Sequence, residues 1–259
     1  MEKAKAIGIF DSGVGGVSVL ARAIKALPQE NFVYYADTAN FPYGDQDPAV
    51  IKQGLAQAAA ELVAKDIKAL VVACNTATSI AIEDIRAAYD MPILGMEPAL
   101  KPAVAKAQDK TVAVIATTLT LRERKFQHLL DQCRAKGKII NLPAPGLADL
   151  VENGHYNDAE AARYLEDLFR PLKAVDAIVL GCTHYLFLTP IIKQHFPQVE
   201  IIDGGSGTVK HLCHILEDKG LLATGPGGAI EVLTSAPKIF LPKFPGHLDY
   251  IMKVLETCD

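Results

Sequence analysis

The sequence predicts an α/β fold of two similar lobes, each a mostly parallel sheet flanked by helices, with the active site in the cleft between them. Two observations lead to this prediction. Short β-rich runs alternate with helix-length amphipathic stretches along almost the whole chain, a rhythm typical of parallel sheets covered by helices on both faces. In addition, "ALVVAC" at residues 69–74 returns as "AIVLGC" at residues 177–182.

The first lobe begins with four strand-then-helix pairs. The predicted strands are "AIGIF" (6–10), "NFVYYAD" (31–37), "ALVVA" (69–73) and "MPILGM" (91–96). The stretches after them, predicted as helices, are "GGVSVLARAIKAL", "VIKQGLAQAAAELVAKD", "TSIAIEDIRAAY" and "PALKPAVAKAQ". A loop punctuated by Pro and Gly, "FPYGDQDP", separates the second strand from its helix.

The second half of the chain repeats this order. Its predicted strands are "TVAVIA" (111–116), "KIINLPA" (138–144), "AIVLG" (177–181) and "VEIID" (199–203). The predicted helices between and after them include "LRERKFQHLLDQCRAKG", "DAEAARYLEDLFRPLK" and "GTVKHLCHILEDKG", and "LADLVENG" lies between the first two. Cys74 and Cys182 are 108 residues apart, and the same offset places "PIL" at 92 on "EII" at 200. Two similar lobes explain this register.

The last part of the chain has no counterpart in the second lobe. One more helix and the segment "GAIEVLTSAP" follow residue 208. We expect this segment to return to the first lobe and complete it. The predicted division is therefore 1–97 plus 208–259 for the first lobe and 98–207 for the second.

The composition excludes several classes of protein. A chain of 259 residues, half of them hydrophobic, is long enough for a sizeable core. Its net charge of −4 gives no reason to expect nucleic acid as a partner. The first residues lack the apolar run of a signal peptide, and later apolar runs are too short for a bilayer, so we expect a cytoplasmic protein without membrane contact.

The five cysteines do not form a disulfide or metal pattern. They are odd in number, widely scattered and without a CxxC pair, so we expect neither a disulfide framework nor a metal site. Cys133 and Cys213 lie in helical patterns and Cys258 lies near the last residue, and we interpret these three as structural.

Cys74 and Cys182 are different, because each follows a strand at the edge where open parallel sheets bind ligands. A single cysteine at the end of a buried strand is usually a small core residue, but matched positions argue for a shared task. Opposed thiols suit the removal of a proton from one face of a carbon and its return to the other. Asp11 is the candidate helper on one side and His184 on the other.

The motif "DSGVGG" at residues 11–16 resembles a nucleotide-binding loop only weakly. It is not G-x-G-x-x-G, and no Lys-Ser or Lys-Thr follows it as in a P-loop. We expect its glycines to allow a tight turn and a close approach of the backbone to a small anion, rather than to bind a dinucleotide.

With these motifs in view, nearly the whole chain resembles the glutamate racemases of bacterial cell-wall synthesis. The resemblance lies in "GIFDSGVGGVSVL", "YYADTANFPYG", "VVACNTATS" and "LGCTHYLFL". It implies a cofactor-independent, metal-free enzyme that interconverts L- and D-glutamate and supplies D-glutamate for peptidoglycan synthesis. It also implies a cytoplasmic homodimer. Cys74 and Cys182 would be the two proton-transferring bases, assisted by Asp11, His184 and the acidic Glu152. The implied substrate contacts are Asp11, Ser12, Tyr43, Gly44, Asn75, Thr76, Thr183 and His184.

Some positions depart from the family pattern. The family commonly has an arginine near Asn40 and a basic residue near Gln46, and Glu123 and Phe126 replace expected hydroxyl groups. Thr117 and Thr120 stay outside the candidate set for this reason. Two alternatives remain open: a racemase of aspartate or another small amino acid with the same fold, and a binding module whose thiols sense oxidation.

Overall fold

The computed structural model describes residues 2–106, 111–134 and 137–258, and these form two parallel β-sheets flanked by helices, as predicted. The strands are β1 Ile7–Asp11, β2 Phe32–Ala36, β3 Ala69–Val72, β4 Ile93–Gly95, β5 Thr111–Ala116, β6 Lys138–Pro143, β7 Ala177–Leu180, β8 Glu200–Asp203 and β9 Ile230–Thr234. We call the sheet that contains β1, with its helices, the first lobe, and the sheet that contains β5, with its helices, the second lobe.

The helices lie mostly between consecutive strands. They are α1 Val17–Ala26, α2 Pro48–Val63, α3 Asn75–Ala88, α4 Leu100–Lys106, α5 Thr118–Arg122, α6 Arg124–Cys133, α7 Leu147–Glu152, α8 Ala159–Phe169, α9 Thr189–His195, α10 Gly205–Asp218, α11 Pro237–Phe240 and α12 Phe244–Cys258. Asp47 shows how the sequence sets such a start: its carboxylate accepts from the Ala49 N–H at 2.7 Å, with Pro48 at the first helical position.

The two sheets share one strand order. The first is β4-β3-β1-β2-β9 and the second is β6-β5-β7-β8, so β4-β3-β1-β2 corresponds to β8-β7-β5-β6. All pairs are parallel, with Ile7 opposite Phe32 and Phe32 opposite Ile230. The strands that precede Cys74 and Cys182, β3 and β7, are therefore equivalent, each beside the first strand of its sheet.

Strand β9 is the one strand outside this match in the described chain. It pairs with β2, and so the segment after residue 208 adds to the first sheet. The predicted boundary at residue 208 falls within α10, which begins at Gly205 and packs on α1. The division into 1–97 plus 208–259 and 98–207 stays a proposal.

One predicted helix is broken in two. The stretch 121–137 contains the end of α5 and all of α6, because Glu123 between them is extended (φ −64°, ψ 139°). The Gln127 side chain donates to the Leu121 carbonyl at 2.5 Å, which compensates for a backbone hydrogen bond lost at the break. Residues 135–136 of this stretch, like residues 107–108 of the predicted fourth helix, lie outside the described residues.

The hydrophobic core continues across both lobes. All five residues of β1 are buried, with Ile7 and Ile9 in a central cluster that also contains Ile115 of the second lobe. Phe10 faces the opposite side of the sheet, towards α2 and α3. Because successive strand residues face opposite sides, β1 is buried on both faces of the sheet. The central cluster on one face packs the first lobe against the second.

Within the described chain, no helix combines the length and the apolar character that a bilayer crossing requires.

Candidate active site

A cavity lies between the two lobes at the carboxyl ends of β1, β3 and β7. Cys74 and Cys182 both line it, one from each lobe. Of the residues predicted from the sequence, all except Asp11 and Glu152 line this cavity: Ser12, Tyr43, Gly44, Cys74, Asn75, Thr76, Cys182, Thr183 and His184. Asp11 and Glu152 lie one layer deeper, where they bind the lining.

Cys74 is buried at the start of α3. Its Sγ accepts from the Ala77 N–H at 3.5 Å, so the thiol caps the helix, and Ser12 Oγ lies 3.7 Å from the same sulfur. Burial raises the pKa of the Cys74 thiol, and the negative charge of Asp11 raises it further. The N–H of Ala77 acts in the opposite direction because it stabilises the thiolate.

Cys182 faces the cavity from a different local structure. It precedes a 3₁₀ turn over Thr183–Leu188, whereas α9 begins only at Thr189. Its Sγ lies 3.7 Å from Nδ1 of His184. A helix thus begins directly after Cys74, whereas a 3₁₀ turn follows Cys182.

His184 connects Cys182 to a buried carboxylate. Its Nε2 lies 3.1 Å from Glu152 Oε2, and that oxygen also accepts from the Val14 N–H at 2.8 Å. Burial alone lowers the pKa of His184, but the hydrogen bonds and charges of Cys182 and Glu152 raise it well above its usual value. These contacts place the imidazole between the Glu152 carboxylate and the Cys182 thiol.

Asp11 ends β1 and is completely buried. One carboxylate oxygen accepts from the Gly13 N–H at 3.1 Å and the other from the Thr183 hydroxyl at 3.1 Å. Burial raises the pKa of Asp11 to about 6, although His184 and these two donors oppose the shift. Asp11 was predicted to help Cys74, but its direct contact is with Thr183, beside Cys182, and it acts on Cys74 through its charge.

The glycines of "DSGVGG" bring the backbone close to side chains of the second lobe. A Cβ at Gly13 would overlap the Glu152 carboxylate, and one at Gly15 would overlap Thr183 and His184. The Gly15 N–H lies 3.3 Å from His184 Nε2. The loop thus lies close to Glu152 and His184, and the expected approach to a small anion stays a prediction.

Asn75 has a buried amide that makes no hydrogen bond to any described group. Neither its Oδ1 nor its Nδ2 has a partner, although the residue is 3% exposed and lines the cavity. A buried amide without partners costs free energy, so each such group in a native protein calls for an explanation. Asn75 shares the cavity lining with both thiols.

Thr117 and Thr120 are nearer to the cavity than the sequence suggested. Thr76 Oγ1 lies 3.3 Å from Thr117 Oγ1 and 3.0 Å from Thr120 Oγ1, so three hydroxyls meet across the lobes. Thr117 also lines the cavity. The departures at Glu123 and Phe126 argued against a role for this segment. Thr117 is the N-cap of α5, where its hydroxyl accepts from the Thr120 N–H. A threonine before a helix is a recognisable cap, so this helix start could have been predicted from the sequence.

Tyr43 lines the cavity, but its hydroxyl is occupied elsewhere. The hydroxyl donates to Asp37 Oδ2 at 2.6 Å, and the same buried carboxylate accepts from Asn40 and Ser235. Asp37 therefore fixes the loop that carries Tyr43 and Gly44. The role of Asp37 was not predicted; one of its partners, Ser235, is 198 positions away along the chain.

No group of three or more His, Cys, Asp or Glu side chains in the described part of the chain is arranged to hold a metal ion.

Comparisons with known proteins agree with this geometry. The sequence profile of the Asp/Glu/Hydantoin racemase family matches residues 9–212. The glutamate racemase of Halothermothrix orenii is 46% identical over 96% of this chain and 99% of its own length. Glutamate racemase 2 of Bacillus subtilis is 44% identical over 90% of this chain and 89% of its own. The crystal structure of the Francisella tularensis glutamate racemase in complex with D-glutamate is 26% identical, with a TM-score of 0.81 over 97% and 94% of the two chains.

Two matching parallel sheets, with a thiol from each at one cavity, define an isomerase of the two-lobed racemase class. The chain belongs to the Asp/Glu/Hydantoin racemase family.

Proposed function

We propose that this protein interconverts L-glutamate and D-glutamate by moving a proton between Cα and two thiols. The observation that carries the proposal is the placement of Cys74 and Cys182, which follow equivalent strands in different lobes and line one cavity. One thiolate removes the Cα proton, and the opposite thiol donates its own proton to the other face of the carbanion. Atoms and charge balance within these two transfers, so the route needs no redox partner or cofactor.

The polar lining supports binding of an amino acid with carboxylate groups. The unpartnered Asn75 amide and the Thr76 hydroxyl are hydrogen-bond donors without a positive charge, and the Thr183 hydroxyl, which donates to Asp11, also lines the cavity. Substrate contacts at Ser12, Tyr43 and Gly44 are part of this proposal, with Tyr43 contributing through its ring or backbone because its hydroxyl binds Asp37.

The two sides of the cavity have different helpers. On one side, Glu152 and His184 form a chain of hydrogen bonds to Cys182. On the other side, Ser12 and the charge of Asp11 act on Cys74. Because burial and Asp11 disfavour the Cys74 thiolate, a substrate ammonium group near this sulfur would promote its ionisation.

The cellular role follows from this reaction. We propose that the enzyme supplies D-glutamate for peptidoglycan synthesis, and hence for cell wall biogenesis and cell shape. We further propose that it works in the cytoplasm as a homodimer.

The direct test is incubation of the purified protein with L-glutamate in D₂O, with no added cofactor. Loss of optical activity and exchange of the α-proton, followed by NMR, are expected together. Cys74→Ser and Cys182→Ser should each abolish racemisation, because each direction needs both groups. Cys213→Ser, on α10 and outside the cavity lining, is the matched control and should remain active. Full activity in either serine variant at the cavity would refute the two-thiol mechanism.

Aspartate tests the alternative substrate. Shortening the side chain by one methylene leaves either Cα misplaced between the thiols or the distal donors unfilled, and an error of about 1 Å can cost roughly a hundredfold in rate. We therefore expect a strong preference for glutamate when both amino acids are assayed at matched concentrations. Comparable turnover of aspartate would assign a broader substrate range and leave the thiol chemistry intact.

A further inference from the structure

The cavity lining carries two carboxylates, one from each lobe. Asp45 ends the 3₁₀ turn Tyr43–Asp45 of the first lobe and is exposed. Asp149 lies in α7 of the second lobe and is half-buried. Both line the same cavity as Cys74 and Cys182. They belong to different lobes and remain accessible to solvent, and we therefore take them to mark the entrance of the cavity.

Nothing in the lining compensates for these two negative charges. Among the described residues that line the cavity, there is no lysine and no arginine. The basic group of the lining is His184, and its charge is matched by the carboxylate of Glu152. A molecule that approaches the thiols therefore meets an entrance of net negative charge.

The two carboxylates are close enough to affect each other. The pKa of Asp149 is raised, first by burial and then by the charge of Asp45, while His184 has the opposite influence. An anion that passes between the two carboxylates is repelled by both, whereas a neutral molecule is hardly affected.

We propose that Asp45 and Asp149 act as a charge filter at the entrance, slowing the access of anions to the two thiols and thereby setting KM for an anionic amino acid. The statement on KM rests on the proposed function, since glutamate carries one net negative charge at neutral pH. The statement on access does not, because it concerns any small molecule that reaches Cys182.

Alkylation of Cys182 by two probes tests the filter without any enzymatic assay. Iodoacetate is an anion and iodoacetamide is a neutral molecule of similar size, and the modified peptide is quantified by mass spectrometry. In the double variant Asp45→Asn/Asp149→Asn, the rate with iodoacetate relative to iodoacetamide should rise about threefold to tenfold. Taking the ratio cancels any change in the reactivity of the thiol itself.

Salt and a matched variant provide the controls. In the unmodified protein, added salt should raise the relative rate of iodoacetate, and in the double variant salt should have little effect. Asp90→Asn removes one carboxylate charge just before β4, at the end of the first sheet opposite the cavity, and should leave the ratio unchanged. An unchanged ratio in the double variant, or an equal change in Asp90→Asn, would overturn the proposal.

Kinetics with glutamate separate the two proposals. The double variant should show a KM lower by a similar factor, with kcat changed by less than about twofold, because the effect falls on entry. If the ratio of alkylation rates responds but glutamate is not racemised, the proposed function is wrong and the filter stands. If glutamate is racemised but neither the ratio nor the salt dependence changes, the filter is wrong and the function stands.

Discussion

Glu152 controls the orientation of the histidine beside Cys182. Its Oε2 accepts from the Val14 N–H at 2.8 Å and lies 3.1 Å from His184 Nε2, so one oxygen links the glycine loop of the first lobe to the imidazole. Phe41 packs on the other side, with its ring centroid 5.3 Å from that of His184. The ring therefore has a fixed position from which Nδ1 faces the thiol.

We expect Glu152→Gln to slow racemisation about tenfold to a hundredfold, and unequally in the two directions. Glutamine keeps the size of the side chain but loses the charge that raises the pKa of His184. The pH at which the ring loses its proton should therefore fall. The pH dependence of kcat/KM, measured from L- and from D-glutamate, is the measurement. Identical profiles for the variant and the unmodified enzyme would contradict a role for this charge.

The buried carboxylate of Asp11 is expected to lower the stability of the folded protein at neutral pH, although it has a proposed role in activity. Its pKa is about 6 in the folded protein against about 4 in an unfolded chain, so the folded state binds the proton more tightly. The contribution of Asp11 to the free energy of unfolding is fully present below about pH 4 and is lost as the pH rises through about 6. By linkage the loss is about 3 kcal/mol at neutral pH.

Asp11→Asn should therefore raise the free energy of unfolding at pH 8 by up to about 3 kcal/mol, while racemisation decreases. The gain should shrink as pH falls from 6 to 4. Urea unfolding of both proteins at several pH values gives the difference in their free energies of unfolding. The contributions of the other titrating groups cancel in this difference. A stability difference that does not vary with pH would show that the ionised carboxylate is not destabilising.

The sequence predicted single residues best where their neighbours lie within one motif. Cys74 and Cys182 were identified because each follows its own strand. The contacts Asp11–Thr183 and Gly15–His184 join residues 172 and 169 positions apart. Such pairs form only when the two lobes pack together, so the partner of Asp11 was beyond sequence reasoning.

At the scale of elements, the loop after β1 depends on glycine for its fit against the second lobe. A Cβ at Gly15 would overlap Thr183 and His184, whereas a Cβ at Gly207, in the first turn of α10, meets no atom within 4 Å. The same substitution, glycine to alanine, can therefore be compared at a crowded site and at an open one.

Gly15→Ala should lower the free energy of unfolding by about 1–3 kcal/mol, because the loop or the 3₁₀ turn must move. Racemisation should fall at least tenfold, since a small displacement of His184 misplaces a reacting group. Gly207→Ala should instead leave activity unchanged and stabilise the protein by about 0.5 kcal/mol. Thermal unfolding and an activity assay of both variants suffice. Normal activity in Gly15→Ala would mean that the loop is more adaptable than its packing indicates.

Local sequence patterns predicted which segments form strands and which form helices. They did not predict where a helix is interrupted or replaced by a 3₁₀ turn. Strand-then-helix order follows from apolar runs of four to six residues and amphipathic stretches between them. The extended backbone at Glu123 and the 3₁₀ turn after Cys182 have no signal in the hydrophobic pattern, and intrinsic helix propensity is too weak to decide such details.

At the scale of the whole molecule, a largely shielded ion pair connects the lobes away from the cavity. Arg22 on α1 binds Asp203 at the end of β8 through two hydrogen bonds of 2.9 and 2.8 Å. Asp203 also accepts from the Gly205 N–H at 2.7 Å, at the start of α10. Their side chains are 10% and 16% exposed, so the pair is mostly shielded from water.

We expect Arg22→Met to lower the free energy of unfolding by about 2–4 kcal/mol, because it leaves a largely buried carboxylate without its cation. Lys65→Met is the matched control, since it removes the exposed pair with Glu231 and should cost less than about 1 kcal/mol. Urea unfolding of both variants checks the difference. Equal effects would indicate that Asp203 is adequately held by Gly205 and solvent.

Strand β9 has a consequence for how the protein is made. Polypeptides emerge from the ribosome in chain order, so the partner of β2 at residues 230–234 appears after β2 and after the whole second sheet. The second sheet, which ends at Asp203, can therefore be assembled while the nascent first sheet still has an open edge at β2. Until β9 closes that edge, it can pair with strands of neighbouring chains. Truncation before residue 230 should consequently produce aggregation during synthesis rather than a smaller folded protein.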